Sequence, residues 1–308
     1  MRDRIFDPSA LPFFVLAAGT AFVAGLWTGT ARRRRRADLL GRAGEAAALA
    51  ALGGFLARTF VSLLLSLGRD SPAAALAVGW GFFLWPGAID TFLTLVGVAP
   101  LFTPTVLRWT ATAVGSFIGM ADGFGRIHRW RGAGALTFAL DVTWGLAGGT
   151  NGCLIHLFNF ARAVREDAPR SGAHRYFNGF RIKAGYAVTM GAVMSHLPAH
   201  SGDLIRHERV HVLQNRLFGP FYTLTYVGWM AALLFPALLV GLMKGAPGRT
   251  VEDWCYVNNP WEAWAYIRGG WLDPARVWGR IAFRAVAAAF FAAALGGFGW
   301  VVWQGWLR

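Results

Sequence analysis

The sequence predicts a mostly α-helical protein that crosses a membrane several times and carries one polar insert. Three observations lead there. Hydrophobic residues make up 55% of the 308 and charged residues only 15%, against about 25% charged in a soluble domain. Mean hydropathy is +0.41, so the chain cannot cover itself with polar surface and needs lipid as part of its solvent. Apolar stretches at 11–29, 46–68, 73–100, 105–124, 133–160, 221–243 and 281–304 run along the whole chain, each near the ~20 residues that cross a bilayer as a helix.

The net charge of +14, from 30 Lys+Arg against 16 Asp+Glu, would suggest nucleic acid in a soluble chain. No nucleic-acid motif accompanies it. The basic residues sit in loops at 31–42, 126–131, 162–183 and 276–284, where the positive-inside bias accounts for them and places those loops in the cytoplasm. The expected surroundings are membrane lipid, with no nucleic-acid partner. Cys153 and Cys255 lack CxxC partners, which excludes a disulfide framework and a thiolate zinc site, though not a bridge between the two.

Taken in order, the first stretch is followed at once by Arg32–Arg36, a block that resists translocation, so 11–29 reads as a retained anchor rather than a cleaved signal. Pro86-Gly87 breaks the third stretch, GlyGlyThrAsnGly at 148–152 the fifth, and Pro236 interrupts the sixth. The chain therefore divides into N-terminal membrane segments (1–160), a polar region with an embedded apolar segment (161–270, the segment being 221–243) and a C-terminal membrane helix (271–308). Within the polar region, Tyr176–Lys183 and Tyr186–Met194 read as two short strands joined at Ala184-Gly185. A helix follows from near 202, capped by Ser201 or Asp203 and ended by Gly219-Pro220.

That helix contains His207-Glu208-Arg209-Val210-His211. Residues four apart share a helix face, so both imidazoles reach one metal ion at zinc-like distances. Glu208, between them, is placed to take a proton from water that the metal activates. A catalytic zinc keeps three protein ligands. Downstream, in Asn259-Pro260-Trp261-Glu262, Asn259 reads as an N-cap and Glu262 projects from the first turn. Glu262 is either the third ligand or the partner in a capping box, with Glu252 and Asp253 as the nearest rivals.

HERVHVLQ at 207–214 and NPWEAWA at 259–265 resemble the gluzincin zinc metallopeptidases. They are closer still to a bacterial metallopeptidase-like group with HExxHxxQ and a later NPxExxA, in which a Thr- and Gly-rich strand precedes the helix, as AVTMG does at 187–191. The resemblance covers about residues 176–267. It implies a zincin-like insert of a short β-hairpin or sheet, an HExxH helix and a Glu-bearing helix. It also implies Zn2+ on His207, His211 and Glu262, with Glu208 as base. The expected reaction is hydrolysis of a protein or peptide substrate, and the apolar stretches and basic loops, not the resemblance, place the protein in the bacterial inner membrane with the site on the cytoplasmic side.

Helical spacing adds further candidates. Gln214 lies on the metal face beside the ligands, and Asp203, four residues before His207, is a candidate to orient it. Tyr266, four after Glu262, is a candidate donor to a developing oxyanion. His196 and His200 lie in the approach to the helix. Val188, Thr189, Met190 and Gly191 form a candidate strand for an extended substrate. Asp90, Asp122, Asp141, Asn151 and His156 fall in or near apolar segments, where ionisable groups are costly and often functional. Asp141 is the residue an ion-coupled transporter would use, while a scaffold with a structural zinc would need neither it nor Glu208. One geometric condition binds the main reading. If 221–243 crossed the membrane once, Glu262 would end some 30 Å from the histidines. Arg216 and Arg249 must therefore share a side, and a break at Pro236 is the expected means of return.

Overall fold

A computed structural model describes residues 11–31, 36–130, 132–162, 164, 171–198, 202–269 and 280–307. Ser201 as a cap, His200, Arg32–Arg35 and part of the 162–183 and 276–284 loops lie outside the described residues. The fold is mostly helical, with a small three-stranded sheet. Among the described residues, three helices are long and apolar enough to cross a membrane: Leu40–Leu67, Pro220–Met243 and Ile281–Leu307.

Helix α1 (Leu11–Ala31) lies against α2 (Arg36–Leu67), and α2 packs along most of its length on α5 (Pro104–Gly125). Glycines bring α2 and α5 into backbone contact. A Cβ on Gly115 would lie 2.4 Å from the Gly53 carbonyl oxygen, one on Gly119 2.0 Å from that of Leu49, and one on Gly123 2.5 Å from the Ala46 Cα. A small residue at every fourth position is how helices in lipid approach closely. In chain order, α3 (Pro72–Val78) and α4 (Trp85–Leu95) come between these two helices. The expected break before Pro86 is present: a π-helical turn at Gly79–Phe83 ends at Leu84, which has φ +60°, and the helix restarts at Trp85.

The stretch 133–160 is also broken, but not at the glycines of 148–152. Helix α6 (Ala133–Val142) stops at Thr143–Gly145, and α7 (Leu146–Ala161) runs straight through 148–152. Those glycines form a packing surface. A Cβ on Gly148 would lie 2.3 Å from Asn215 Oδ1, and one on Gly152 2.8 Å from the Met190 carbonyl oxygen. The main core gathers Leu49, Val61, Leu65, Phe83, Leu107, Ile118, Phe138 and Leu146 from α2, α5, α6, α7 and the turn before α4.

The sheet differs from the expected hairpin. Strand β1 (His174–Phe177) pairs parallel with β3 (Val193–Leu197), and β2 (Val188–Met190) pairs antiparallel with β3. Residues 178–187 form no strand. The reversal falls at Gly191, which has φ +60°, inside the stretch read as one strand. Its Cβ position is filled by the Gly148–Gly149 backbone at 2.7–3.0 Å, so only glycine fits there. Helix α8 (Gly202–Phe218) follows and carries the HExxH sequence.

Helix α9 (Pro220–Met243) continues unbroken through Pro236. The chain reverses beyond its end, at Gly245 (φ +66°), and α10 (Pro247–Val251) with a π-helical turn at Glu252–Val257 runs back along α9. Trp229 Nε1 donates to the Trp254 carbonyl at 3.1 Å, and Asn259 Nδ2 to that of Tyr226 at 3.2 Å. Return is thus by a helical hairpin, not by a proline break: Pro236 removes one hydrogen bond without ending the helix. Helix α11 (Pro260–Gly269) then lies on α8, and α12 (Arg280–Val302) ends the fold. Cys153 and Cys255 are both free and buried.

Candidate metal centre

The hairpin of α9 and α10 sets α11 against α8, and three side chains meet there. His207, His211 and Glu262 each offer a ligand atom within 4.8 Å of the others. The two Nε2 atoms are 3.2 Å apart. Glu262 Oε2 lies 3.2 Å from His207 Nε2, and Oε1 3.4 Å from His211 Nε2. Local sequence explains the aim of Glu262. Asn259 caps α11 by accepting from the Trp261 backbone N–H at 3.1 Å, while its own N–H bonds the Tyr256 carbonyl. That leaves Glu262 free of a capping box and turned to the histidines. Glu252 instead bonds Lys183 and Tyr186, and Asp253 faces Arg249.

The donor set suits a metal cation. Among the described residues no hydrogen bond is made to the buried Glu262 Oε2, which has only the His207 imidazole beside it, a costly arrangement unless a cation faces it. Gln214, fully buried, donates from Nε2 to the Trp261 carbonyl at 2.9 Å and so presents Oε1 to His211 Nδ1 at 2.8 Å. That arrangement puts the His211 proton on Nδ1 and leaves the Nε2 lone pair for a metal. Electrostatics agree. Burial opposes charge on His211, yet Glu262 and Glu208 raise its pKa to about 9. Burial alone would raise Glu262, but His211 and His207 hold it well below the usual carboxylate range.

Glu208 is buried, and Thr189 Oγ1 donates to its Oε2 at 2.5 Å. Burial pushes this carboxyl above its ordinary value, against the pull of His211 and His207. Thr189 therefore serves Glu208 directly. Val188 and Met190 flank it in β2, and Gly191 forms the turn. Tyr266 packs its ring 4.5 Å from that of His207. Asp203 is exposed and pairs with Arg206, away from His207. His196 sits in β3 outside the ligand cluster.

Residues that the sequence reading passed over come from α9. Tyr226 donates to Glu262 Oε1 at 2.6 Å, and the Tyr222 hydroxyl lies 3.3 Å from His211 Nδ1. Two phenols four residues apart on a largely apolar helix are the signal that could have found them. Asp141 is tied to the same helix as the histidines: Arg216 donates to both its oxygens, at 2.7 and 2.6 Å. His128 bridges Asp141 at 3.3 Å and Asp122 at 2.7 Å. Asp90 accepts from the backbone of Leu101 and Phe102, Asn151 accepts from Trp85, and His156 meets Tyr176. Compared with known proteins, the chain matches no family model, no curated protein and no solved structure.

Proposed function

We propose that this protein is a membrane-bound zinc metallopeptidase, gluzincin-like in its ligands. The observation that carries the reading is the convergence of His207, His211 and Glu262, from two distant helices, with Glu208 buried beside them. When bound, zinc would polarise a peptide carbonyl and acidify the attacking water. Glu208, steadied by Thr189, takes the water's proton and delivers it to the leaving amine. Tyr266, against His207, is the donor for the developing oxyanion. Strand β2 has a strand partner only in β3 among the described residues, and its other edge is the proposed seat of an extended peptide. The basic loops favour a site on the cytoplasmic side of the cell membrane, so the expected substrates are proteins or peptides at that surface.

A structural zinc is the second reading, favoured by the burial of all three ligands, which are 2–4% exposed. The transporter reading has lost its motive, since Asp141 is engaged by Arg216 and His128. One experiment separates the first two. Protein purified without added zinc should hold one zinc per chain, lost in a His207→Ala/His211→Ala double variant. Glu208→Gln should keep the zinc, and cells expressing it should accumulate the substrates that wild type degrades. Zinc without any Glu208-dependent change in membrane proteins would leave the structural reading. Metal that persists in the double variant would overturn both.

A further inference from the structure

A second polar cluster lies inside the protein, outside the group of metal-ligand candidates. Asp122, His128, Asp141, His156, His174 and Asn215 surround a space of about 20 Å³, and glycines and apolar side chains complete its wall. Every residue of that wall is buried. Most of the polar side chains answer one another. Arg216 holds both oxygens of Asp141. His128 Nδ1 lies 2.7 Å from Asp122 Oδ1, and His156 Nδ1 lies 2.8 Å from the Tyr176 hydroxyl. Asn215 Nδ2 donates to the Gly145 carbonyl at 3.1 Å, and His174 Nε2 stands 3.8 Å from Asp122 Oδ1. Two oxygens are left over. Among the described residues nothing donates to Asp122 Oδ2 or to Asn215 Oδ1, although both residues are only 1% exposed.

A buried acceptor without a donor is destabilising. A cavity takes up a water once it offers about 10–15 Å³ and at least two polar partners. This space meets both conditions, for one molecule. We propose that it binds a single water, which donates one hydrogen to Asp122 Oδ2 and the other to Asn215 Oδ1 and so ties α5 to α8. The surrounding charges favour a neutral ligand over a cation. Burial opposes charge on His128, yet Asp122 and Asp141 raise its pKa to about 9. His128 and Arg216 then balance the two carboxylates, and an added ion would leave an unpaired charge in the interior. Asn215 lies four residues beyond His211, on the same stripe of α8, so the bridge fixes that helix one turn past a candidate metal ligand. The site is independent of the peptidase reading.

Hydroxyl-radical footprinting of the full chain in detergent tests this, because radicals formed from a bound water oxidise the side chains beside it. Val193, in the wall of the space and 4% exposed, is compared with Leu49, in the main core and 6% exposed. After correction for intrinsic reactivity, Val193 should be oxidised at least about 10-fold faster, since only its surroundings are polar enough to keep a water. Asn215→Leu removes one acceptor and should abolish the excess. A rate at Val193 no higher than at Leu49, or an excess that survives in the variant, overturns the proposal. Should the variant fail to fold, wild-type crystals decide the matter. A single density peak within hydrogen-bond distance of both oxygens supports the site, and the lack of one overturns it. The melting temperature should be the same in sodium, potassium and choline chloride. Stabilisation by one of these cations alone would put an ion in place of the water and overturn the proposal.

Discussion

Tyr226, on an apolar helix, donates its hydroxyl to Oε1 of Glu262 at 2.6 Å, so the carboxylate of the candidate metal cluster is held by a residue of a candidate membrane span. Glu262 Oε1 would otherwise have only the imidazole of His211 beside it. Partners that orient a ligand typically contribute 10–100-fold to metal affinity. Tyr226→Phe should weaken zinc binding by about that factor, measured by competition with a chromophoric chelator. Unchanged affinity would show that Tyr226 merely packs.

Thr189 and Glu208 make a separable prediction. Thr189→Val keeps the shape of β2 and removes the donor to Oε2. Because Thr189 touches no metal ligand among its hydrogen bonds, zinc content should stay at wild-type level. Turnover should fall about 10-fold through kcat with KM little changed, as expected when a general base loses its orientation. Thr189→Ser, which keeps a hydroxyl, should restore most of it.

Arg216 and Asp141 should fail singly and tolerate joint replacement. Removing one member of a buried pair leaves an uncompensated charge and costs about 3–5 kcal/mol, whereas replacing both is often close to neutral. Arg216→Met should therefore lower thermal stability in detergent sharply, and Asp141→Leu in the same chain should recover much of the loss. A double variant no better than the single would mean the pair is not the unit.

His128 predicts a pH dependence. Burial works against its charge, but Asp122 and Asp141 outweigh burial and raise its pKa from 6.5 to about 9. The facing groups are those two carboxylates and Arg216. A raised pKa stabilises the fold fully below the unfolded value and ceases to do so as pH rises through the folded one. Stability should fall between about pH 6.5 and 9, read as the melting temperature across that range. His128→Gln should flatten the slope.

The meeting of His207, His211 and Glu262, a group that could hold a metal, was largely legible because much of its geometry is local. His207, His211 and Gln214 repeat on one helix face, and Asn259-Pro260 starts the helix that points Glu262 inward. What the sequence hid were contacts between distant segments. The parallel pairing of β1 with β3 and the reversal at Gly191 depend on α7 lying against that turn, which no periodicity encodes. For the same reason the run at 148–152 looked like a breaker when it is a contact face, and Pro236 looked like a hinge. Asp141 suggested a carrier because its partner, Arg216, lies 75 residues away.

The reversal at Gly245 gives a bound metal a mechanical part to play. His211 and Glu262 are joined by α9 and its returning arm, a segment of about fifty residues, so zinc between them would act as a cross-link that closes a long loop, and long closures remove the most chain entropy. Chelation should therefore loosen that arm before the rest of the fold, since binding stabilises only the state that holds all three ligands. Limited proteolysis would register this as new cleavage near Lys244, while the glycine-packed contact of α2 with α5 stays intact.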